Sequence, residues 1–126
     1  MAFNIYVDDE LAAVLVKTEG DLKAEEFHEM IIEGKAKCEE ASINKVLVDH
    51  TASTVKNISS SEVHGIAMMC SVLNDVMTGG RLAVVLIYDV DYGMGRMWES
   101  YTINKLEYDS RLFRNVNEAR EWLKNE

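Results

Sequence analysis

The chain has 126 residues, of which 48% are hydrophobic and 28% are charged, a balance typical of a folded globular protein. Its net charge of -9 argues against nucleic acid and anionic membrane surfaces as partners, because both attract basic patches. No segment predicts a membrane-spanning helix, and the acidic start of the chain lacks the basic region of an export signal. We therefore expect one cytoplasmic domain spanning residues 1–126.

A β-hairpin is predicted at the start of the chain. Its first strand alternates apolar and polar residues, with Phe3, Ile5 and Val7 on the apolar side. The acidic residues at 8–10 form the turn, and residues 11–20 return as the second strand.

An amphipathic helix and a buried strand follow the hairpin. Gly20 and Asp21 are expected to begin the helix, with Asp21 as its N-cap. The apolar run at 44–50 then predicts a buried strand. The residues expected on the buried face of the helix recur at helical spacing: Phe27, Met30, Ile31, Gly34, Cys38 and Ala41.

The second helix is predicted over residues 59–76 and has a strong start signal. Ser59 and Glu62 match the S-x-x-E capping box, in which the serine oxygen accepts from an amide and the glutamate reaches back. Ile58 and Val63 on either side of the cap predict a hydrophobic staple. The residues expected to face inward are Val63, Ile66, Ala67, Cys70 and Leu73.

The remaining elements complete an alternating pattern. The most continuously apolar segment, 81–90, predicts a central strand covered on both faces. A helix over roughly 92–108, a short strand over 111–115 and a terminal helix over 115–126 follow. The order β-β-α-β-α-β-α-β-α predicts an α/β fold with a mostly parallel sheet of four to five strands, opened by an antiparallel hairpin, and about four helices. The terminal helix is expected to pack Val116, Ala119, Trp122 and Leu123.

Several of these segments resemble the SpoIIAA-like (STAS-type) family: the strand end "VLVD", the strand "RLAVV" and the ending "RLFRNVNEAREWL". The ending is similar to that of a small bacterial branch whose chains close with F-x-x-x-x-x-A-x-x-W-L, here Phe113, Ala119, Trp122 and Leu123. The branch also resembles, more distantly, the lipid-binding CRAL-TRIO domains. The resemblance implies a SpoIIAA-like fold and a regulatory module without enzymatic activity.

The serine run has three alternative interpretations. In classical anti-sigma-factor antagonists of this family, a D-S-S-G motif carries the phosphorylated serine. Ser60 and Ser61 fall on its serine pair, with Ser61 at the phospho-acceptor position, whereas Ser59 replaces the aspartate and Glu62 the glycine. The run can be a helix cap, a site in the first helical turn that binds an anion or accepts a phosphate, or, least favoured, a nucleophile.

Polar side chains are expected to gather where the strands end, since ligands bind at the carboxyl edge of parallel sheets. Hard oxygen ligands also make a magnesium or calcium site conceivable from Asp49, His50, Asp89 and Asp91. Because aspartates at such positions usually cap the following helix, we expect no metal and no cofactor. The candidate residues for binding a ligand or anion, besides the two serines, are Asp49, His50, Tyr88, Asp91 and Tyr92.

A stripe of large apolar residues on the fourth predicted helix is either core or a surface for an apolar ligand or a partner: Met94, Met97, Trp98 and Tyr101. We expect a regulatory module that binds a protein partner or forms a homo-oligomer. The alternative is a carrier of a small apolar or lipid-like ligand, held between the sheet and the helix at residues 94–101. No combination of acid, base and nucleophile is evident, so an enzyme is not expected. Cys38 and Cys70 are expected to be buried, reduced thiols.

Overall fold

The computed structural model describes residues 2–125, so residues 1 and 126 of the predicted domain lie outside the described part of the chain. The order of elements confirms the predicted alternation of strands and helices, with the second helix continuing through a 3₁₀ segment. In chain order the elements are β1 (Phe3–Asp8), β2 (Ala13–Asp21), α1 (Ala24–Ala41), β3 (Lys45–Thr54), α2 (Ser60–Met69), a 3₁₀ helix (Cys70–Leu73), α3 (Asn74–Met77), β4 (Arg81–Val85), α4 (Asp89–Thr102), β5 (Asp109–Phe113) and α5 (Val116–Lys124).

The five strands form one sheet in the order β1-β2-β3-β4-β5. β1 pairs antiparallel with β2, as the hairpin predicts, and the other neighbours are parallel. β4 lies between β3 and β5, which explains its continuous apolar sequence, although β3 is the middle strand. The predicted α/β fold, with a mostly parallel sheet opened by a hairpin, is confirmed.

Successive residues of the inner strands face opposite sides of the sheet and build two separate cores. One side, which we call the cavity face, is covered by α1, α2 and α4. The other side, which we call the α5 face, is covered by α5. Strand residues of the cavity face include Val16, Val46, Val48, Leu82 and Val84. Strand residues of the α5 face include Leu15, Leu47, Ala83, Val85 and Phe113.

The predicted start of the first helix is wrong. Gly20 and Asp21 belong to β2, because β3 runs further than predicted and pairs with both. The N-cap of α1 is Lys23, whose backbone amide donates to the Glu26 carboxylate at 2.8 Å. Local helix-start signals were therefore overridden by strand pairing with a segment more than thirty residues away.

Three further boundaries differ from the predictions. α4 covers Asp89–Thr102 rather than 92–108, and β5 covers Asp109–Phe113 rather than 111–115. The chain leaves the α4 helix at Ile103, whose ψ of 129° is outside the helical range, and Asn104 then adopts a left-handed conformation with φ 63°. The Tyr108 hydroxyl donates to the Cys70 carbonyl oxygen at 3.0 Å and attaches the following segment to the 3₁₀ helix. The helix predicted over 59–76 changes to a 3₁₀ helix at Cys70.

Most of the predicted core positions are buried. On α1, Phe27 and Ala41 are only partly buried, and on α5 the same holds for Val116 and Trp122, because these residues lie at the margins of the packed faces. The five positions predicted to face inward on the second helix are all buried, three of them in α2 and two in the 3₁₀ helix. The other confirmed positions on α1 and α5 are Met30, Ile31, Gly34, Cys38, Ala119 and Leu123.

Candidate functional site

The start of α2 is a complete capping box. The Glu62 amide donates to the Ser59 hydroxyl at 3.2 Å, and the Ser59 amide donates to the Glu62 carboxylate at 2.9 Å. Ile58 and Val63 are both buried in the core beneath, in agreement with the predicted staple. The predicted structural role of Ser59 and Glu62 is thus confirmed.

Ser60 and Ser61 lie in the first turn of α2 and are exposed. The Ser61 hydroxyl is 3.3 Å from the Ser59 hydroxyl, so the two share a weak hydrogen bond at the surface. Both side chains are accessible to another protein, and their position near the positive end of the helix dipole favours a negative charge there. Their role as an anion or phospho-acceptor site remains a prediction.

Asp49 and His50 lie in the middle of β3 and are both buried, but their side chains have different hydrogen-bond partners. The Asp49 carboxylate accepts a hydrogen bond of 2.9 Å from the Thr51 amide. His50 Nδ1 shares a hydrogen bond of 2.7 Å with the Thr18 hydroxyl of β2, and the Ser53 hydroxyl is 3.4 Å away. The His50 ring also packs against Phe27, with 5.6 Å between ring centroids.

Burial controls the charge of His50. Removal from water lowers the pKa of its imidazole to about 4, although the nearby Asp49 carboxylate acts in the opposite direction. The ring is therefore neutral near pH 7. A neutral imidazole can donate or accept single hydrogen bonds, but it does not attract an anion.

The start of α4 carries the other predicted polar residues. Asp91 is only 1% exposed, and its Oδ1 accepts from the Thr54 hydroxyl at 2.9 Å and from the Val55 amide at 3.1 Å. Its Oδ2 is buried and has no hydrogen-bond partner among residues 2–125. Asp91 therefore attaches the first turn of α4 to the segment that leads into α2, so the starts of both helices lie at the same edge of the sheet.

Asp89 and Tyr92 contact a different part of the chain. The Arg114 guanidinium donates to the exposed Asp89 carboxylate at 2.8 Å, and it lies 4.2 Å from the centroid of the Tyr92 ring. The four residues considered for a cation thus have separate hydrogen-bond partners. Within the described residues, no group of three or more histidine, cysteine, aspartate or glutamate side chains is arranged to hold a metal ion.

Sequence reasoning missed an exposed apolar surface at the same edge. Ile87, Tyr88 and Val90 are 38%, 55% and 61% exposed, respectively. The run 81–90 predicted a buried strand, but β4 ends at Val85, so the last part of this run reaches solvent. The length of the run 81–90 was a signal that part of it lies outside the strand, because a usual strand has about five to six residues.

The predicted apolar stripe of α4 lies inward. Its four residues are partly buried and pack against the core of the cavity face, and the Tyr101 ring meets the His64 ring edge-on at 4.8 Å. The stripe consists of Met94, Met97, Trp98 and Tyr101. Its interpretation as core is therefore correct for most of its surface, while Met94 and Trp98 also border a cavity.

This cavity has a volume of about 140 Å³ and lies between the cavity face of the sheet and the helices α1, α2 and α4. Its wall is formed mainly by aliphatic side chains, together with Phe27, Trp98 and His50. Cys38 and Cys70 also border it. Burial raises the pKa of both thiols to about 11, so they are protonated near pH 7 and are weak nucleophiles.

None of the helices within residues 2–125 has the length and apolar character that crossing a membrane requires.

No protein-family model and no curated protein sequence matches this chain.

Two solved structures are similar to the chain over almost its whole length. The anti-sigma factor antagonist SpoIIAA in its unphosphorylated form has a TM-score of 0.60 and 11% sequence identity, covering 99% of this chain and 100% of that one. The NMR structure of the protein TM1081 has a TM-score of 0.59 and 16% identity, covering 100% of this chain and 91% of that one. Identities this low show shared architecture rather than shared activity. The chain has the SpoIIAA-like, STAS-type fold.

Proposed function

We propose that the chain is a single-domain, non-enzymatic regulatory module of the STAS type that works in the cytoplasm through contact with a partner protein. The partner binds where α2 and α4 begin, on a surface that we call the helix-start surface and that consists of Ser60, Ser61, Ile87, Tyr88 and Val90. The observation that carries the proposal is the exposure of three large apolar side chains within four consecutive residues.

Apolar exposure of this kind supports a binding role. Single exposed hydrophobic residues are normal on soluble proteins, but adjacent ones rimmed by polar groups often mark interaction sites. The surface is also held in place, because the buried Asp91 ties the first turn of α4 to Val55. A partner would thus meet a preorganised surface and lose little entropy by ordering it.

The fold likeness supports the same role. One structural neighbour is described as an anti-sigma factor antagonist, and the description of its state as unphosphorylated points to regulation by phosphate. Ser60 and Ser61 are exposed in the first turn of α2, at the same edge of the sheet as the apolar side chains. A phosphate on either would place negative charge next to an apolar contact and would oppose binding there through its desolvation cost.

A matched pair of substitutions tests the surface. Val90 and Ile32 are 61% and 60% exposed, so changing either to aspartate perturbs a comparably accessible position. Affinity capture from the source cells, combined with analytical ultracentrifugation for self-association, should show loss of a bound partner for Val90→Asp and its retention for Ile32→Asp. Equal retention by both variants contradicts the proposal.

The serines are tested separately. Ser61→Glu should weaken partner binding while leaving the free energy of unfolding within about 0.5 kcal/mol, since Ser61 is solvent-facing. Ser59→Ala, in contrast, should lower stability by about 0.5–2 kcal/mol because it removes the cap. Unchanged binding by Ser61→Glu would exclude Ser61 as a regulatory position.

The cavity favours a second candidate function, the carrying of a small apolar ligand between the sheet and α4. A cavity of about 140 Å³ that Met94 and Trp98 border supports this candidate. Protein interiors rarely leave a void of this size, because each lost contact destabilises the fold.

Native mass spectrometry of the protein purified from its own cells tests the carrier function, since it reports a bound ligand by mass. Gly34 borders the cavity, and a Cβ built on it meets no atom within 4 Å, so Gly34→Leu should fill the space and remove the ligand. Gly65, an exposed helical glycine with equally open space, provides the control variant Gly65→Leu. If the unmodified protein and Gly65→Leu are as free of ligand as Gly34→Leu, the protein is not a carrier.

A further inference from the structure

His50 is the polar side chain on an otherwise apolar cavity wall. Trp98 is the other lining residue with a side-chain nitrogen. His50 reaches the wall from β3, and 3% of its surface is exposed. A group that binds in the cavity therefore meets aliphatic surface on nearly every side and a single imidazole.

The imidazole is held in one orientation. Its Nδ1 shares a hydrogen bond with the Thr18 hydroxyl at 2.7 Å, and Ser53 lies close to the same nitrogen. All hydrogen bonds of the ring within residues 2–125 involve Nδ1. Nε2, on the other side of the ring, is therefore left for a molecule in the cavity. Among the fully buried side-chain nitrogen and oxygen atoms of residues 2–125, Asp91 Oδ2 is the one without a partner, so Nε2 is accessible to a small molecule rather than sealed in the core. A hydroxyl group that reaches Nε2 there gains a hydrogen bond shielded from water.

We propose that the cavity binds a small neutral molecule with one hydroxyl group on an apolar body of about one aromatic ring, and that the hydroxyl hydrogen-bonds to Nε2 of His50. This inference rests on the carrier function proposed above and names the class of ligand for that site.

Size, charge and hydrogen-bonding chemistry each restrict the ligand. The volume of about 140 Å³ is close to that of an engineered apolar cavity of about 150 Å³ that holds benzene. An ionised group would be buried among apolar side chains without an opposite charge, which is strongly unfavourable. A hydroxyl fits either tautomer of a neutral imidazole, because it both donates and accepts.

Water alone is a poor occupant of this cavity. A buried water is held by two to four polar partners, roughly three on average. Here one imidazole nitrogen is offered, while the rest of the wall is apolar. A ligand with an apolar body satisfies both parts of the wall at once, since its hydroxyl meets His50 and its body replaces the missing packing contacts.

Phenol and toluene are suitable probes because they have nearly the same shape and differ in one hydroxyl group. Isothermal titration calorimetry near neutral pH should show that the unmodified protein binds both. In His50→Leu, the affinity for phenol should fall by about tenfold or more relative to that for toluene, the loss expected when a buried hydroxyl has no partner. Gly34→Leu should abolish the binding of both probes, with Gly65→Leu as the folded control.

NMR makes the test independent of whether His50→Leu folds. In the unmodified protein with ¹⁵N-labelled histidine, phenol should give a large shift of the His50 Nε2 resonance because a hydrogen bond forms there, whereas toluene should give only the small shifts that a nearby aromatic ring causes in cavity-lining groups, including His50 and the Met94 methyl. The role of His50 is overturned if both probes bind and the ratio of their affinities is the same in His50→Leu as in the unmodified protein. It is also overturned if phenol binds without a large shift at Nε2. Either result still leaves an apolar cavity that binds ligands. Failure of both probes to bind overturns the inference together with the carrier function.

Discussion

Helices cover both sides of the sheet, but the two sides are packed to different extents. On the α5 face, small residues let the helix lie close to the strands, and Ala83 and Ala119 are both fully buried. On the cavity face, larger aliphatic and aromatic side chains cover the strands, yet a space of about 140 Å³ is left. Residue size alone thus does not determine how completely a core is filled.

Two buried glycines on the cavity face show where the space comes from. A Cβ on Gly95 of α4 would lie 2.5 Å from a methyl group of Leu86, so that helix already approaches the sheet as closely as it can. A Cβ on Gly34 of α1 would meet nothing within 4 Å. The missing side chain on α1 is not compensated by a closer approach of the helix, and the cavity is the consequence.

The largest expected effect concerns the filled side. Leu123→Ala should lower the free energy of unfolding by about 2–5 kcal/mol, because it removes a fully buried side chain from the α5 face and leaves a new void. Urea denaturation measures the change. Ile103→Ala, at a position 68% exposed, is the control and should change stability by less than about 0.5 kcal/mol. A loss below about 1 kcal/mol for Leu123→Ala would mean that the α5 face is not closely packed.

Acid should act on the cavity face through His50. Its pKa is about 4 in the folded protein and 6.5 in the unfolded chain, so the unfolded state binds the proton more readily between these values. The stability associated with the neutral ring is fully present above about pH 6.5 and is lost as the pH falls toward about 4, in total on the order of 3 kcal/mol.

The contribution of His50 is isolated by comparing variants. His50→Gln should lose less stability than the unmodified protein between about pH 7 and about pH 4, whereas His28→Gln, on the exposed surface of α1, should follow the unmodified protein. Chemical denaturation at each pH provides the measurement. Parallel curves for all three proteins would show that His50 does not titrate differently on folding.

Enlarging adjacent strand residues compares the two faces directly. Ala83→Val should lower stability by about 1–3 kcal/mol because it overpacks the contact between β4 and α5. Val84→Ile adds a methylene group on the other face, toward the cavity, and should change stability by less than about 1 kcal/mol. Thermal or urea unfolding of both variants decides the matter. Equal losses would mean that the two faces are equally filled.

The smallest expected effect is a gain. Gly34→Ala should raise the free energy of unfolding by about 1 kcal/mol, since alanine favours the helix over glycine and the new methyl group enters open space. Gly95→Ala should gain less or lose stability, because Leu86 and Leu112 must move to admit the methyl group. If Gly95→Ala is the more stabilising of the two, the free space on the cavity face lies beside α4 rather than beside α1.

Local sequence determined the features that depend on neighbouring residues. The capping box of Ser59 and Glu62 was predictable because both partners lie within one helical turn. The order of strands and helices was predictable because the period of apolar residues differs between them. The apolar stripe of α4 followed from its helical spacing, and two of its residues, Met94 and Trp98, border the cavity.

Only the tertiary structure decided the features that depend on distant partners. Gly20 and Asp21 became strand rather than helix because β3 pairs with them, and Ile87 and Val90 became exposed because β4 ended before them. The partner of His50 is Thr18, which lies 32 residues away. The cavity depends on how closely α1 and α4 approach the sheet. A sequence pattern shows which side chains face inward, but the free space between them depends on the three-dimensional distance between elements, which no local pattern contains.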